Sequence, residues 1–276
     1  MESTDFLSVK FRASSVGQLM VGGNAITEKQ LARLDELEAR RRDGAKPLTA
    51  NMQVELDELL AKRDGEFKFG ATAMAYIRDV WLKNVYGYEE PIVTNEILKG
   101  LLCEDEALGV LTRQVPGDFR VKNEESWSDE HFSGTPDVVS EEWVEDVKCS
   151  WSLRTFIETT RPDPIYYAQG QVYLALTGRK RFRLAHVLVN TPHEIVEEEK
   201  KRFYFRFNCD EGNTHYQSAI EKVNNMHNAA RLVPEYHRIK CFEFHRDEKY
   251  IDTLRSRVEI ARKVYASLTL GGTDSE

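Results

Sequence analysis

Asp137, Asp146 and Lys148 offer the chemistry this sequence makes available. They fall within residues 134–150, GTPDVVSEEWVEDVKCS, as a carboxylate, a hairpin signal, a second carboxylate and a lysine two positions on. Two carboxylates brought close repel each other unless a cation lies between them, and hard oxygen donors favour magnesium or manganese. A lysine beside such an ion offers a proton or a fixed positive charge to an attacking water or a developing phosphorane. Asp-x-Lys is equally at home in a polar surface hairpin that does no chemistry, so the motif needs context.

The elements that must position these groups are legible as patterns. Val138 and Val139, then Trp143, Val144 and Val147, read as two short strands with Ser140-Glu141-Glu142 as the turn. A period of two sends Val144, Asp146 and Lys148 to one face of the second strand, and Trp143, Glu145 and Val147 to the other. Upstream, a helix is expected from about Thr94 to Thr112, capped by Thr94 or Asn95. In it Ile97, Leu101, Glu104, Leu108 and Leu111 recur at three and four, which puts Glu104 on an apolar stripe. A carboxylate facing a core needs a cation or a metal; the same spacing also admits Glu104 at the frayed edge of the stripe. Downstream, 151–164 reads as a loop, and 165–178 as a helix ended by Gly178 with Gln169 and Tyr173 on one face. Residues 182–190 read as a buried strand, with His186 a core or edge residue rather than a ligand.

Elsewhere, the serines before Val16, Leu19 and Met20 mark a helix start, either a simple cap or a phosphate-attracting end. ITEKQLARLDELEARRRDG (26–44) and LTANMQVELDELLAKRDG (48–65) form a short internal repeat. It reads as a helical hairpin capped by Thr27 and Thr49 and stopped at Gly44 and Gly65. Leu31, Leu34 and Leu37 supply one apolar stripe, and Val54, Leu56, Leu59 and Leu60 the other. Helices are further expected at 71–86, 216–232 and 250–268. Strands are expected around Phe119 and Val121, at 203–207 and at 238–245, and Trp127 and Phe132 mark an edge region. The tail GGTDSE is expected to be disordered.

Composition narrows the class. With 41% hydrophobic and 30% charged residues over 276 positions, the chain is ordinary for a globular protein. No apolar run reaches membrane-spanning length, and the N-terminus lacks the order of a signal peptide. Four cysteines, at 103, 149, 209 and 241, are too scattered for a disulfide scaffold or a clustered metal site, so a reducing cytoplasm fits best. A formal charge of −8 argues against a general nucleic-acid coat but not against an enzyme that grips DNA on one face.

Taken in order, Glu104, Asp137, Asp146-Val147-Lys148 and the Gln169 helix resemble the PD-(D/E)xK nuclease superfamily. The closer resemblance is to its YqaJ and lambda-type phage alkaline exonucleases. Gly100 to Glu104 is similar to the family's Gly-x-x-x-Glu, and Gly134, Pro136 and Asp137 to its Gly-x-Pro-Asp. Asp146-Val147-Lys148 is similar to its Glu-x-Lys with a shorter acid; Glu145 is longer but lies on the other strand face. Gln169, Gln171 and Tyr173 resemble its glutamine helix, and Ala13-Ser14, beside Arg12, its 5′-phosphate segment. The resemblance spans about 11–22 and 68–255.

It implies an α/β (α+β) restriction-endonuclease-like core with a mixed central sheet flanked by helices, plus the N-terminal helical hairpin. The corresponding division is an N-terminal segment at 1–25, the hairpin insert at 26–67, a nuclease core at 68–270 and a tail at 271–276. It also implies Mg2+, with Mn2+ as an alternative, on Asp137, Asp146 and the Val147 carbonyl, with Glu104 completing the site directly or through water. Lys148 would orient or activate the water, Gln169 would support the lysine or substrate, and Arg12, Ser14, Gln171 and Tyr173 would meet DNA. The implied function is 5′-to-3′ degradation of linear duplex DNA in phage-type recombination, in a host cytoplasm if phage-encoded. A homo-oligomer such as a trimer and a single-strand annealing partner follow from the same resemblance. An endonuclease of the superfamily and a non-catalytic DNA-binding accessory protein are the alternative readings.

Overall fold

The computed structural model describes residues 6–43, 47–91, 94–117, 120–206, 212–270 and 272–273. The expected helix stop at Gly44, the strand residues Phe119 and Phe207, Cys209 and most of the C-terminal tail lie outside the described residues. The helices are α1 (Ala13–Val16), α2 (Glu28–Asp43), α3 (Ala50–Asp64), α4 (Ala71–Tyr86), α5 (Asn95–Gln114), α6 (Leu153–Glu158), α7 (Pro164–Thr177), α8 (His193–Arg206), α9 (Thr214–His227) and α10 (Glu248–Ala266). The strands are β1 (Phe11–Arg12), β2 (Trp127–Ser128), β3 (Phe132–Gly134), β4 (Val138–Val139), β5 (Trp143–Cys149), β6 (Arg181–Val187), β7 (Ile239–His245), β8 (Leu268–Thr269) and β9 (Gly272–Thr273). The architecture is the expected mixed α/β one. Among the described residues, no helix is long and apolar enough to cross a membrane.

The chain divides into two compact units, one of 1–6, 18–88 and 257–276, the other of 7–17 and 89–256. In the first, α2 and α3 form the repeat hairpin around Leu34, Leu37, Leu56 and Leu59. Thr27 and Gln30 exchange hydrogen bonds at the start of α2, and Thr49 accepts from the Met52 amide in α3. Leu31 and Val54, expected on the apolar stripes, are exposed instead. Arg33 clasps Glu55 across the hairpin at 2.9–3.0 Å, so polar pairing takes over where the stripe is too narrow.

The second unit is built on the sheet β4-β5-β6-β7, in which β5 and β6 run parallel and both outer pairs antiparallel. Its β5-to-β6 crossover carries α6 and α7. α5 covers one face through Cys103, Ala107, Val110 and Leu111 against Val147, Ala185 and Val187. α7 lies on the other face so closely that a Cβ at Gly170 would come within 2.7 Å of Phe182 and Phe244. A smaller sheet, β1-β3-β2, stands before β4.

Four expectations are corrected here. The buried stripe of α5 is Asn95, Lys99, Cys103, Ala107, Val110 and Leu111, while Ile97 and Leu101 are exposed. The true stripe was disguised because it begins on polar residues: the Lys99 ammonium is satisfied by the Ser150 and Trp151 carbonyls at 2.8 and 3.0 Å, and Asn95 by Glu199 at 2.6 Å. Val121 is exposed and lies in no strand. The 151–164 loop contains α6, started by a capping box between Ser152 and Thr155, a signal muted by threonine in place of the usual glutamate. Residues 203–206 continue α8 rather than forming a strand. The Glu- and Lys-rich run before them favours helix through pairs such as Lys200–Glu197 and Arg202–Glu199, and Phe205 points to solvent.

Candidate active site

β5 presents acids to both faces, and the two faces treat them differently. Glu145 faces the α5 side, where Arg120 holds it at 2.6 and 3.1 Å and Arg183 adds a further ion pair. Arg183 also reaches Glu243 at 2.8 Å. Glu145 is therefore fully engaged away from the other acids, as its strand parity predicts.

Asp146 and Lys148 face α7. Lys148 Nζ stands 2.6 Å from Asp146 Oδ2, a charge-assisted contact. Asp146 Oδ1 accepts from Gln169 Nε2 at 3.1 Å, and the same Nε2 donates to the Tyr173 hydroxyl at 3.0 Å. Tyr173 in turn donates to the Thr135 carbonyl at 3.1 Å. One hydrogen-bonded chain thus ties the acid on β5, two residues one turn apart on α7, and the backbone two residues before Asp137. Burial, and then the Asp146 charge, push the Tyr173 hydroxyl up to about 12, so it stays a donor at neutral pH.

Asp137, just ahead of β4, accepts from the Val147 amide at 2.7 Å. Its backbone is pinned by Asn123, whose amide donates to the Asp137 carbonyl and whose side chain donates to the Pro136 carbonyl. Burial first, then Asp146, raise the Asp137 carboxyl from 3.8 to about 7, with Glu104 adding to the rise. For Lys148, burial opposes the charge, but Asp146 and Asp137 outweigh it and hold the ammonium above the ordinary lysine range. The Lys148 ammonium also lies 5.0 Å from the centre of the Tyr166 ring. His186, beside Lys148 on β6, is pushed down to about 4 by burial and then by Lys148, so it is neutral.

The other sequence candidates fall in graded positions. Glu104 is partly exposed on the flank of α5, 3.1 Å from Lys122, and its charge reaches Asp137. Arg12 and Ser14 are exposed on the segment where β1 pairs with β3, Arg12 opposite Ser133. Gly134 explains that proximity: a Cβ there would sit 2.8 Å from Ala13 Cβ and 2.7 Å from the Tyr173 ring, so the bare backbone lets three segments meet. Gln171 is not placed to meet DNA. It is fully buried, donating to the His245 carbonyl and accepting from the Asp247 amide, both at 2.8 Å.

Lys122, Asn123 and Tyr166 escaped the sequence reading. Tyr166 lies three residues before Gln169 on the same helical face, a spacing that could have singled it out. Lys122 and Asn123 lie in irregular chain, where no period operates.

No protein-family profile and no curated protein matches the sequence. Solved structures do share its fold. The chain superposes on a phage-related exonuclease from Haemophilus somnus 129PT with a TM-score of 0.64 and 18% identity, over 95% of each chain. An alkaline exonuclease from Laribacter hongkongensis gives 0.53 and 13% identity, over 95% of this chain and 92% of that one. The same Laribacter enzyme in complex with dAMP gives 0.53 and 14%, over 94% and 89%. The chain therefore shares the fold of these solved exonuclease structures.

Proposed function

We propose that the chain is a metal-dependent deoxyribonuclease, acting as a 5′-to-3′ exonuclease on duplex ends in the manner of the YqaJ and lambda-type enzymes. The observation that carries the reading is the meeting of Asp137, Asp146, Lys148 and Gln169 on a fold shared with exonucleases. A homo-oligomer, a single-strand annealing partner and a role in recombination belong to the same proposal.

The residues fit a hard divalent cation. Asp146 is a buried acid and Asp137 a half-buried one; burial first, and then the Asp146 charge, raise the Asp137 carboxyl, and the Lys148 ammonium at 2.6 Å compensates Asp146 Oδ2 in the absence of an ion. Asp137, Asp146 and the Val147 carbonyl would hold magnesium or manganese, with Glu104 completing the set. When bound, the ion would supply Lewis-acid polarisation of the scissile phosphate and lower the pKa of a bound water, whose proton would pass to solvent. Lys148, charged at neutral pH, orients that water and meets negative charge developing on the phosphate. Gln169 fixes the Asp146 carboxylate, and Tyr173 fixes Gln169. Arg12 and Ser14 would receive the 5′ phosphate.

The pH dependence of metal binding follows from Asp137. Its raised carboxyl means that folding disfavours the ionised form, so this group's contribution to stability falls as pH rises from about 4 to about 7. A cation must displace that proton. Calorimetric magnesium affinity is expected to rise about tenfold per pH unit below about 7 and to level off above it. An affinity that is flat across this window removes Asp137 from the ligand set.

The function itself is tested on linear duplexes bearing a 5′ phosphate, a 5′ hydroxyl or blocked ends, beside a closed circle, with magnesium and then a chelator. The phosphorylated linear form is expected to disappear fastest, the circle to survive, and Arg12→Ala to narrow the preference for phosphate. Rapid cutting of the circle makes the protein an endonuclease, and DNA binding without hydrolysis makes it a non-catalytic module.

A further inference from the structure

Gly100 stands in the interior of α5, where glycine is the poorest choice of any residue except proline. Among the described residues nothing calls for it. Its φ is not in the left-handed region, and a Cβ built there would meet no atom within 4 Å. Gly17, Gly65, Gly70, Gly109, Gly134 and Gly170 also keep φ out of that region, yet each would bring a Cβ within 3.1 Å of another atom. At those positions internal crowding explains the glycine; at Gly100 the space is open.

The open space has a defined place. Gly100 precedes Glu104 by four residues and so lies one turn before it on the same side of the helix. Its flanking neighbours Ile97 and Leu101 are 44% and 66% exposed, while the side carrying Lys99 and Cys103 is buried. Glu104, 3.1 Å from Lys122, is the member of the proposed metal set that α5 carries. With Glu104 completing the metal set of the nuclease reading, a strand whose phosphate lies at that ion would extend across this face of α5.

We propose that Gly100 is the clearance point over which the sugar–phosphate backbone of the bound DNA strand passes in contact with the helix. The inference rests on the nuclease reading above and adds a positioning residue that touches substrate through its bare backbone. A side chain at 100 would lift the strand away from the acids, whereas the free protein would gain from a better helix former. Activity and stability should thus move in opposite directions.

Gly100→Ala is expected to raise Tm by about 2 °C while lowering kcat/KM on linear duplex at least threefold. Gly100→Leu should lower it at least thirtyfold. Anisotropy titration of labelled duplex should show the same order of weakening in an Asp137→Ala background, where hydrolysis plays no part. A drop in Tm for Gly100→Ala would mean an internal need for glycine and overturn the proposal. So would wild-type kcat/KM in either variant, with the nuclease reading left standing. If the wild type hydrolyses no DNA, that reading fails, and the binding titration alone decides: unchanged affinity in Gly100→Leu overturns the clearance role. Should Gly100→Leu misfold, Gly100→Ala and Gly100→Ser carry the comparison.

Discussion

Asp137→Ala protein is expected to lose magnesium-dependent hydrolysis of linear duplex DNA by roughly a thousandfold or more, the scale on which removal of a charge-stabilising group acts in such sites. The residue anchors the cluster from both directions, accepting from the Val147 amide through its side chain and fixed by Asn123 through its backbone. Its loss removes a proposed metal ligand and leaves the strand pairing untouched, so the far-ultraviolet circular dichroism spectrum should be unchanged. Single-turnover assays on end-labelled duplex measure the effect directly. Activity within tenfold of wild type in a folded Asp137→Ala protein would sink the assignment of this site.

The largest expected effect on stability comes from a residue outside the cluster. Glu145→Leu leaves Arg120 and Arg183 buried around a vacated acceptor, both side chains being less than a tenth exposed. Breaking one partner out of a buried ion pair costs about 3–5 kcal/mol, and Arg183 retains the half-exposed Glu243 and the Trp143 ring. Urea unfolding should show that loss in the midpoint. At a temperature where the variant remains folded, magnesium affinity should match wild type, whereas Asp146→Ala should lose it. The reverse result would make Glu145 the ligand.

The central hairpin could be read from sequence because every cue agreed: alternating valines, a polar turn and Pro136 before Asp137 all specify the same local structure. The strand parity that separated Asp146 from Glu145 is equally local, and the structure keeps it. The α7 face holding Gln169 and Tyr173 was legible for the same reason. What failed was periodicity in α5, where a buried lysine and asparagine occupy core positions that hydropathy assigns to solvent. Their partners, Ser150, Trp151 and Glu199, are remote in sequence, and no window could have found them. Asn123 and Lys122 were invisible because their roles come from tertiary placement of irregular chain. Gln171 shows the opposite failure: its type and spacing suit DNA, yet the fold spends it on joining β7 to the start of α10.

The two arginines around Glu145 also bear on how the chain avoids a wrong structure. Asp146 and Glu145 are neighbouring acids, so sliding β5 by one position against β6 would exchange their faces and still leave an acid beside α7. That misfolded species would carry a longer carboxylate at the cluster and would place Lys148 on the opposite face. Arg120, brought by an irregular segment, and Arg183, on the neighbouring strand, grip the acid at 145 from two directions. In the slipped arrangement the shorter Asp146 would have to satisfy both. The buried ion network thus favours the one alignment in which Asp146 and Lys148 share a face.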